Sequence, residues 1–232
     1  MYDGKGNIVN ISDADNVILG ADIIAIGDSN VYYSYGNSKA DIGSIYERLW
    51  TEFGINSLTQ LASPGINIWQ AKGKLIDFAT ENNIEKYNKN NTIFIFHVGT
   101  NDELSSICTE YNGNENTATS SNGIGFIAQC LRYKFPKAHW FWVVPQDADW
   151  TVWSKSDQLT DYYAARVMED KVPHIIKNLE KWRFPYIDAF HQSGITTDML
   201  TDGVHLGGGS YNYSTDAVYK YYRFLRAKLI SL

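Results

Sequence analysis

The sequence lacks most features that would assign a function on sight. Its 232 residues include only 2 cysteines and 5 histidines. That is too few for a disulfide framework, and none of them stands at zinc-ligand spacing or in a H-E-x-x-H helix. No metal and no cofactor is therefore expected, and Cys108 and Cys130 read as two unpaired buried thiols in preference to the one bridge they could form. Basic residues are not in excess either: 20 Lys and Arg face 26 Asp and Glu, a formal charge of -6. A chain of that charge has no electrostatic footprint for nucleic acid and no strong attraction to an anionic membrane surface. No apolar run approaches the roughly 20 residues of a membrane span. The first seven residues are polar, without the basic and apolar regions of a signal peptide, which leaves extracellular or surface action open.

What is present fits one well-buried α/β core, given 44% hydrophobic residues over this length. The expected division is a polar, Gly/Asn/Asp-rich arm or linker over residues 1–17, then a single domain over 18–232. The arm hints at tethering to a larger surface or tail-associated protein. Aromatics are plentiful, with 16 Tyr, 10 Phe and 7 Trp.

Short apolar runs stopped by turn residues predict strands at Ala21–Ile26, Ser57–Leu61, Thr92–Val98, His139–Val144 and Pro185–Phe190. Helical periodicity is expected over Ile42–Phe53, Ile68–Ala79, Ile124–Phe135, Asp157–Trp182 with a break near Pro173, and Thr215–Leu229. The Asn112–Asn122 stretch reads as a mobile loop, and Pro145–Trp153 as a loop carrying two tryptophans. Alternating strands and helices argue a parallel sheet covered on both faces.

Four islands carry chemistry: Gly27-Asp28-Ser29, Ser63-Pro64-Gly65, Gly99-Thr100-Asn101-Asp102 and Asp202-Gly203-Val204-His205. The first three begin where predicted strands end, and ligands of open α/β sheets bind at those carboxyl ends. Ser29 offers a hydroxyl nucleophile. Asp202 can accept the Nδ1 proton of His205 and leave Nε2 for the serine. The Gly65 amide, the Asn101 carboxamide and the Ser29 amide offer three donors to a developing oxyanion. Taken one at a time, each island is an ordinary turn. The chain also holds a second Asp-x-x-His interval, Asp188 to His191; the glycine-bearing pair is preferred, because side chains at the end of a strand are expected to diverge. Asp102 reads as structural and His97 as a hydrogen-bonded core histidine.

In order and approximate spacing these islands resemble the SGNH hydrolases, or GDSL esterase/lipase superfamily, over about residues 21–231. Asn30 stands where an apolar residue is common, and Leu206 where proline is frequent. The resemblance implies a three-layer α/β/α sandwich with a five-stranded parallel sheet, flavodoxin-like in arrangement. It implies Ser29 as nucleophile, His205 as base, Asp202 as its orienter, and Gly65 and Asn101 in the oxyanion hole. The activity implied is ester hydrolysis through an acyl-enzyme. Aromatic residues near the predicted rim, Tyr33, Trp150, Trp153 and Tyr211 among them, suit the faces of sugars and point to removal of O-acetyl groups from carbohydrate. Two alternatives stand beside it: a lipid acyl-ester hydrolase or thioesterase of the same fold, and a non-catalytic carbohydrate-binding module.

Overall fold

A computed structural model describes residues 18–32, 54–155, 160–200, 202–205 and 217–230. The expected arm at 1–17, the expected helix over Ile42–Phe53, and Tyr33, Leu206 and Tyr211 lie outside the described residues.

Five strands, β1 (Asp22–Gly27), β2 (Ser57–Ala62), β3 (Thr92–His97), β4 (His139–Val144) and β5 (Tyr186–Asp188), form one sheet in the order β2-β1-β3-β4-β5. Every pairing is parallel. The central strands β1 and β3 are buried along their whole length because both faces are covered. Along β1, Ile24 and Ile26 enter one core while Ile23 and Ala25 enter the other. In β3, Phe94 and Phe96 oppose Ile93 and Ile95 in the same alternation. The first core is closed by helices Ile68–Phe78, Ser120–Lys134 and Met168–Lys181, the second by helix Ala217–Ile230. These are the layers of an α/β/α sandwich. Chain order reverses on either side of β1, so a crevice opens at the carboxyl ends of β1 and β3, where such sheets place ligands.

Several expectations need correction. The Pro145–Trp153 segment is not all loop: Asp149 caps a helix over Trp150–Ser154 by accepting the amides of Thr151 and Val152. The long helix breaks at residues 165–167 and not at Pro173, giving Asp161–Ala164 and Met168–Lys181. Pro173 is tolerated because it and Glu169, whose carbonyl loses its partner, both lie on the exposed side. The helix expected from Ile124 begins at Ser120, capped by the Thr119 side chain. Its buried Asn122 braces the preceding polar loop: Oδ1 accepts the Asn112 amide and Nδ2 donates to Asn112 and to the Thr117 carbonyl. Helices Glu81–Tyr87 and Leu104–Cys108 were not foreseen. Both cysteines are free, but Cys108 is exposed and Cys130 half-buried, so neither is the fully buried thiol expected.

Candidate active site

The serine island is built by a glycine with no alternative. A Cβ on Gly27 would lie 2.3 Å from both the His97 carbonyl and the Val31 side chain, so the end of β1 can pack against β3 and the following turn only with glycine at this position. The chain then turns: the Asp28 side chain accepts the Asn30 amide at 3.0 Å, and its carbonyl accepts the amides of Val31 and Tyr32. Ser29 opens the resulting helical turn, Ser29–Tyr32, nearly buried at 5% exposure. Gln60 from β2 donates to the Val31 and Tyr32 carbonyls and closes the far end of that turn.

His205 arrives from the other end of the chain. Its Nε2 lies 2.8 Å from Ser29 Oγ, and its Nδ1 2.7 Å from Asp202 Oδ2. Asp202 uses its second oxygen to accept the amides of Val204 and His205 at 3.0 and 2.8 Å. Burial pushes the Asp202 carboxyl up. The His205 ring and the two backbone amides outweigh it, and the group ends below the usual carboxylate range. The loop needs Gly203: φ is +81°, and a Cβ would meet the Asp149 carbonyl at 2.5 Å. Asp149 donates its amide to the Gly203 carbonyl at 2.6 Å, tying the loop to helix Trp150–Ser154. Buried Gln146 donates to the Val204 carbonyl at 3.1 Å and to Asn30 Oδ1 at 3.3 Å, bridging the histidine loop to the serine turn. The polar Asn30 thus has work where an apolar residue would have none. Gln146 was missed in the sequence, where nothing marks it apart from its place just past β4.

Ser29, Gly65, Asn101 and His205 line one cavity of about 340 Å³. Gly65 turns with φ +75°, and its Cα side is open space, so the conformation rather than crowding calls for glycine. Asn101 Nδ2 donates to the Ile66 carbonyl at 3.2 Å, which fixes the carboxamide and leaves its second N–H. Below it, Asp102 is buried, with both oxygens 3.1 Å from the Ile68 amide and one accepting the Ser120 hydroxyl. This is the structural role expected of it. Burial also pushes the Asp28 carboxyl up to about 6, against the opposing pull of the Asn30 amide, Thr100 and His205. His97 is a core histidine, fully buried and 3.2 Å from the Tyr221 hydroxyl; burial drags its pKa down to about 4.

The rim differs from expectation in part. Trp150 is buried rather than presented: its indole donates to the Arg166 carbonyl at 2.8 Å and its ring stacks on Tyr163. Trp153 is 41% exposed and sets its edge against the His205 ring, centroids 5.1 Å apart. Tyr162, Tyr163 and Arg166 complete the wall, and the sequence reading missed all three. They sit in the part of the expected helix that precedes Pro173, where no break is expected from the sequence. The break at 165–167 brings them to the site, and the paired tyrosines were the available signal.

The second Asp-x-x-His interval does close on itself, contrary to the divergence expected at a strand end. His191 Nδ1 lies 2.7 Å from Asp188 Oδ2, because Asp188 caps helix Ala189–Gln192 and a helical turn brings i and i+3 together. It does not reach the cavity.

No protein-family model matches the sequence, and a search of curated proteins finds no match. Similar solved structures do exist. A protein from Lactobacillus plantarum aligns with TM-score 0.63 at 13% identity, over 92% of this chain and 98% of that one. An acetylxylan esterase from Geobacillus stearothermophilus aligns with TM-score 0.55 at 12% identity, over 94% and 97%. A GDSL-like lipase from Bacteroides thetaiotaomicron aligns with TM-score 0.54 at 10% identity, over 91% and 89%. The fold is that of the SGNH hydrolases. Among the described residues, no group of three or more His, Cys, Asp and Glu could hold a metal, and no helix is long and apolar enough to cross a membrane.

Proposed function

We propose that this chain is a serine ester hydrolase working through an acyl-enzyme. The observation that carries the reading is the continuous chain of contacts from Asp202 through His205 to Ser29, 2.7 and 2.8 Å long, at the floor of an open cavity. Asp202 holds the Nδ1–H tautomer, so Nε2 presents a lone pair to the Ser29 hydroxyl. As Ser29 Oγ attacks the ester carbonyl, Nε2 takes its proton. The amides of Ser29 and Gly65 and the Asn101 carboxamide donate to the oxyanion, each worth about 3 kcal/mol of transition-state stabilisation. His205 then returns the proton to the leaving alcohol, and the same nitrogen activates the water that releases the acid.

The substrate class we propose is O-acetylated carbohydrate. Two exposed rings, Trp153 at 41% and Tyr162 at 59%, flank the cavity, and flat aromatic faces beside polar groups suit sugar rings. The likeness in fold to an acetylxylan esterase supports this reading, and the GDSL-like lipase keeps a lipid ester as the competing one.

The test is p-nitrophenyl acetate hydrolysis by the wild type and by Ser29→Ala. Turnover is expected to vanish in the variant while its circular dichroism spectrum stays native; undiminished turnover would end the reading. Acetate release from acetylated oligosaccharides should exceed release of long-chain acids from lipid esters, and the reverse order would move the substrate to lipid. Glycan binding with no fluorophosphonate labelling of Ser29 would mark a non-catalytic binding module instead.

A further inference from the structure

Helix Met168–Lys181 buries a stripe of Met168, Lys171, Val172, Ile175 and Leu179. Four of these are apolar. The fifth is a lysine with no exposed surface. Its ammonium donates to the carbonyls of Gly99 at 3.1 Å, Thr100 at 2.7 Å and Asp102 at 3.0 Å. An ammonium has three N–H groups and no acceptor, so these three bonds satisfy it completely. The one carbonyl of the tetrapeptide that Lys171 leaves, that of Asn101, accepts Arg166 Nε at 3.2 Å. Two buried cations therefore gather four consecutive carbonyls.

Burying a charge is costly, and here three buried carbonyls and the nearby Asp102 carboxylate offset that cost; an unbranched apolar side chain would complete the stripe but leave those carbonyls without this donor. Burial, with Arg166 nearby, pulls Lys171 down to about 7 against the pull of Asp102 and Asp28. The same three bonds also have a geometric consequence. With its carbonyls collected on one side, the loop sets the Asn101 carboxamide in the wall of the cavity that holds Ser29. Asn101 also donates to the Ile66 carbonyl, so its side chain is held from both sides.

We propose that Lys171 is a positioning residue of the oxyanion hole: by clamping the Gly99–Asp102 carbonyls, together with Arg166, it fixes where the Asn101 N–H points. The proposal rests on the ester-hydrolase reading. It makes no contact with substrate and acts only through Asn101.

The test is a double-mutant cycle in p-nitrophenyl acetate hydrolysis, begun with the wild type and Ser29→Ala. Lys171→Met should lower kcat by about ten- to a hundredfold, with KM within about twofold, as expected for a group felt mainly in the transition state. In an Asn101→Ala background the same substitution should change kcat by no more than about twofold, since the group it positions is gone. Equal losses in both backgrounds, or an undiminished kcat in Lys171→Met, would overturn the proposal. If Lys171→Met does not fold, Lys171→Gln takes its place in the cycle. Failure of both to fold would assign the ammonium to the fold and overturn it too. A wild type without Ser29-dependent turnover breaks the hydrolase reading first, and this proposal falls with it.

Discussion

Two Asp-x-x-His units in one molecule have nearly the same internal geometry and different surroundings. In each, the ring Nδ1 lies 2.7 Å from a carboxylate oxygen, and the histidine's own amide donates to the other oxygen, at 3.1 Å for His191 and 2.8 Å for His205. The first unit sits beyond the edge strand β5, where the His191 side chain is 55% exposed. The second is folded back over the crevice beside β1, its His205 side chain 10% exposed and its Nε2 facing Ser29. A carboxylate–imidazole pair is thus a product of four residues of local chain. Its third member comes only from topology.

The two units should differ most at the histidines. His205→Ala should cut kcat for p-nitrophenyl acetate by about a millionfold, as for removal of the base from a serine triad, while His191→Ala stays within about twofold. A comparable loss in both would erase the distinction. Next come the carboxylates: Asp202→Asn should cost on the order of a thousandfold or more by presenting the wrong tautomer, and Asp188→Asn essentially nothing in kcat.

Smaller effects are expected at two glycines. Gly203 and Gly194 both have positive φ, but a Cβ at Gly203 meets a backbone carbonyl at 2.5 Å, whereas at Gly194 it meets only the end of the Lys220 side chain at 3.2 Å. Gly203→Ala should lower melting stability by about 1–3 kcal/mol and displace His205, lowering kcat with it. Gly194→Ala should show a stability loss without a kinetic one.

The smallest effect is linked to pH. Asp202 is held below its ordinary value by His205 and two amides, despite burial. A depressed carboxylate contributes stability above its unfolded pKa, about 3.9, and loses it as pH falls through the folded value. The melting difference between wild type and Asp202→Asn should therefore be present at pH 6 and shrink below about pH 4. A difference that grows on acidification would contradict the sign.

Much of the frame was legible because central strands of a doubly covered sheet announce themselves. Apolar runs such as Thr92–His97, buried along their whole length, leave little choice of element. The four islands were legible because strand ends and turn residues coincide. Helices Glu81–Tyr87 and Leu104–Cys108 were not, since each is short and buries a single residue, leaving no periodic apolar signal. Lys171 was hidden for the opposite reason: the stripe it interrupts reads as a plain amphipathic helix, in which a lysine passes for a surface residue. Its partners are carbonyls some seventy positions away, and backbone acceptors leave no mark in side-chain identity. The Asp188–His191 pair was misread because the helical turn that closes it starts at the last residue of the strand.

The most direct measurement is mass spectrometry of the protein after a fluorophosphonate probe, in the wild type, His191→Ala and His205→Ala. A single adduct on Ser29, kept in His191→Ala and lost in His205→Ala, is the predicted result. An unlabelled Ser29 in the wild type, or labelling indifferent to His205, would contradict the account.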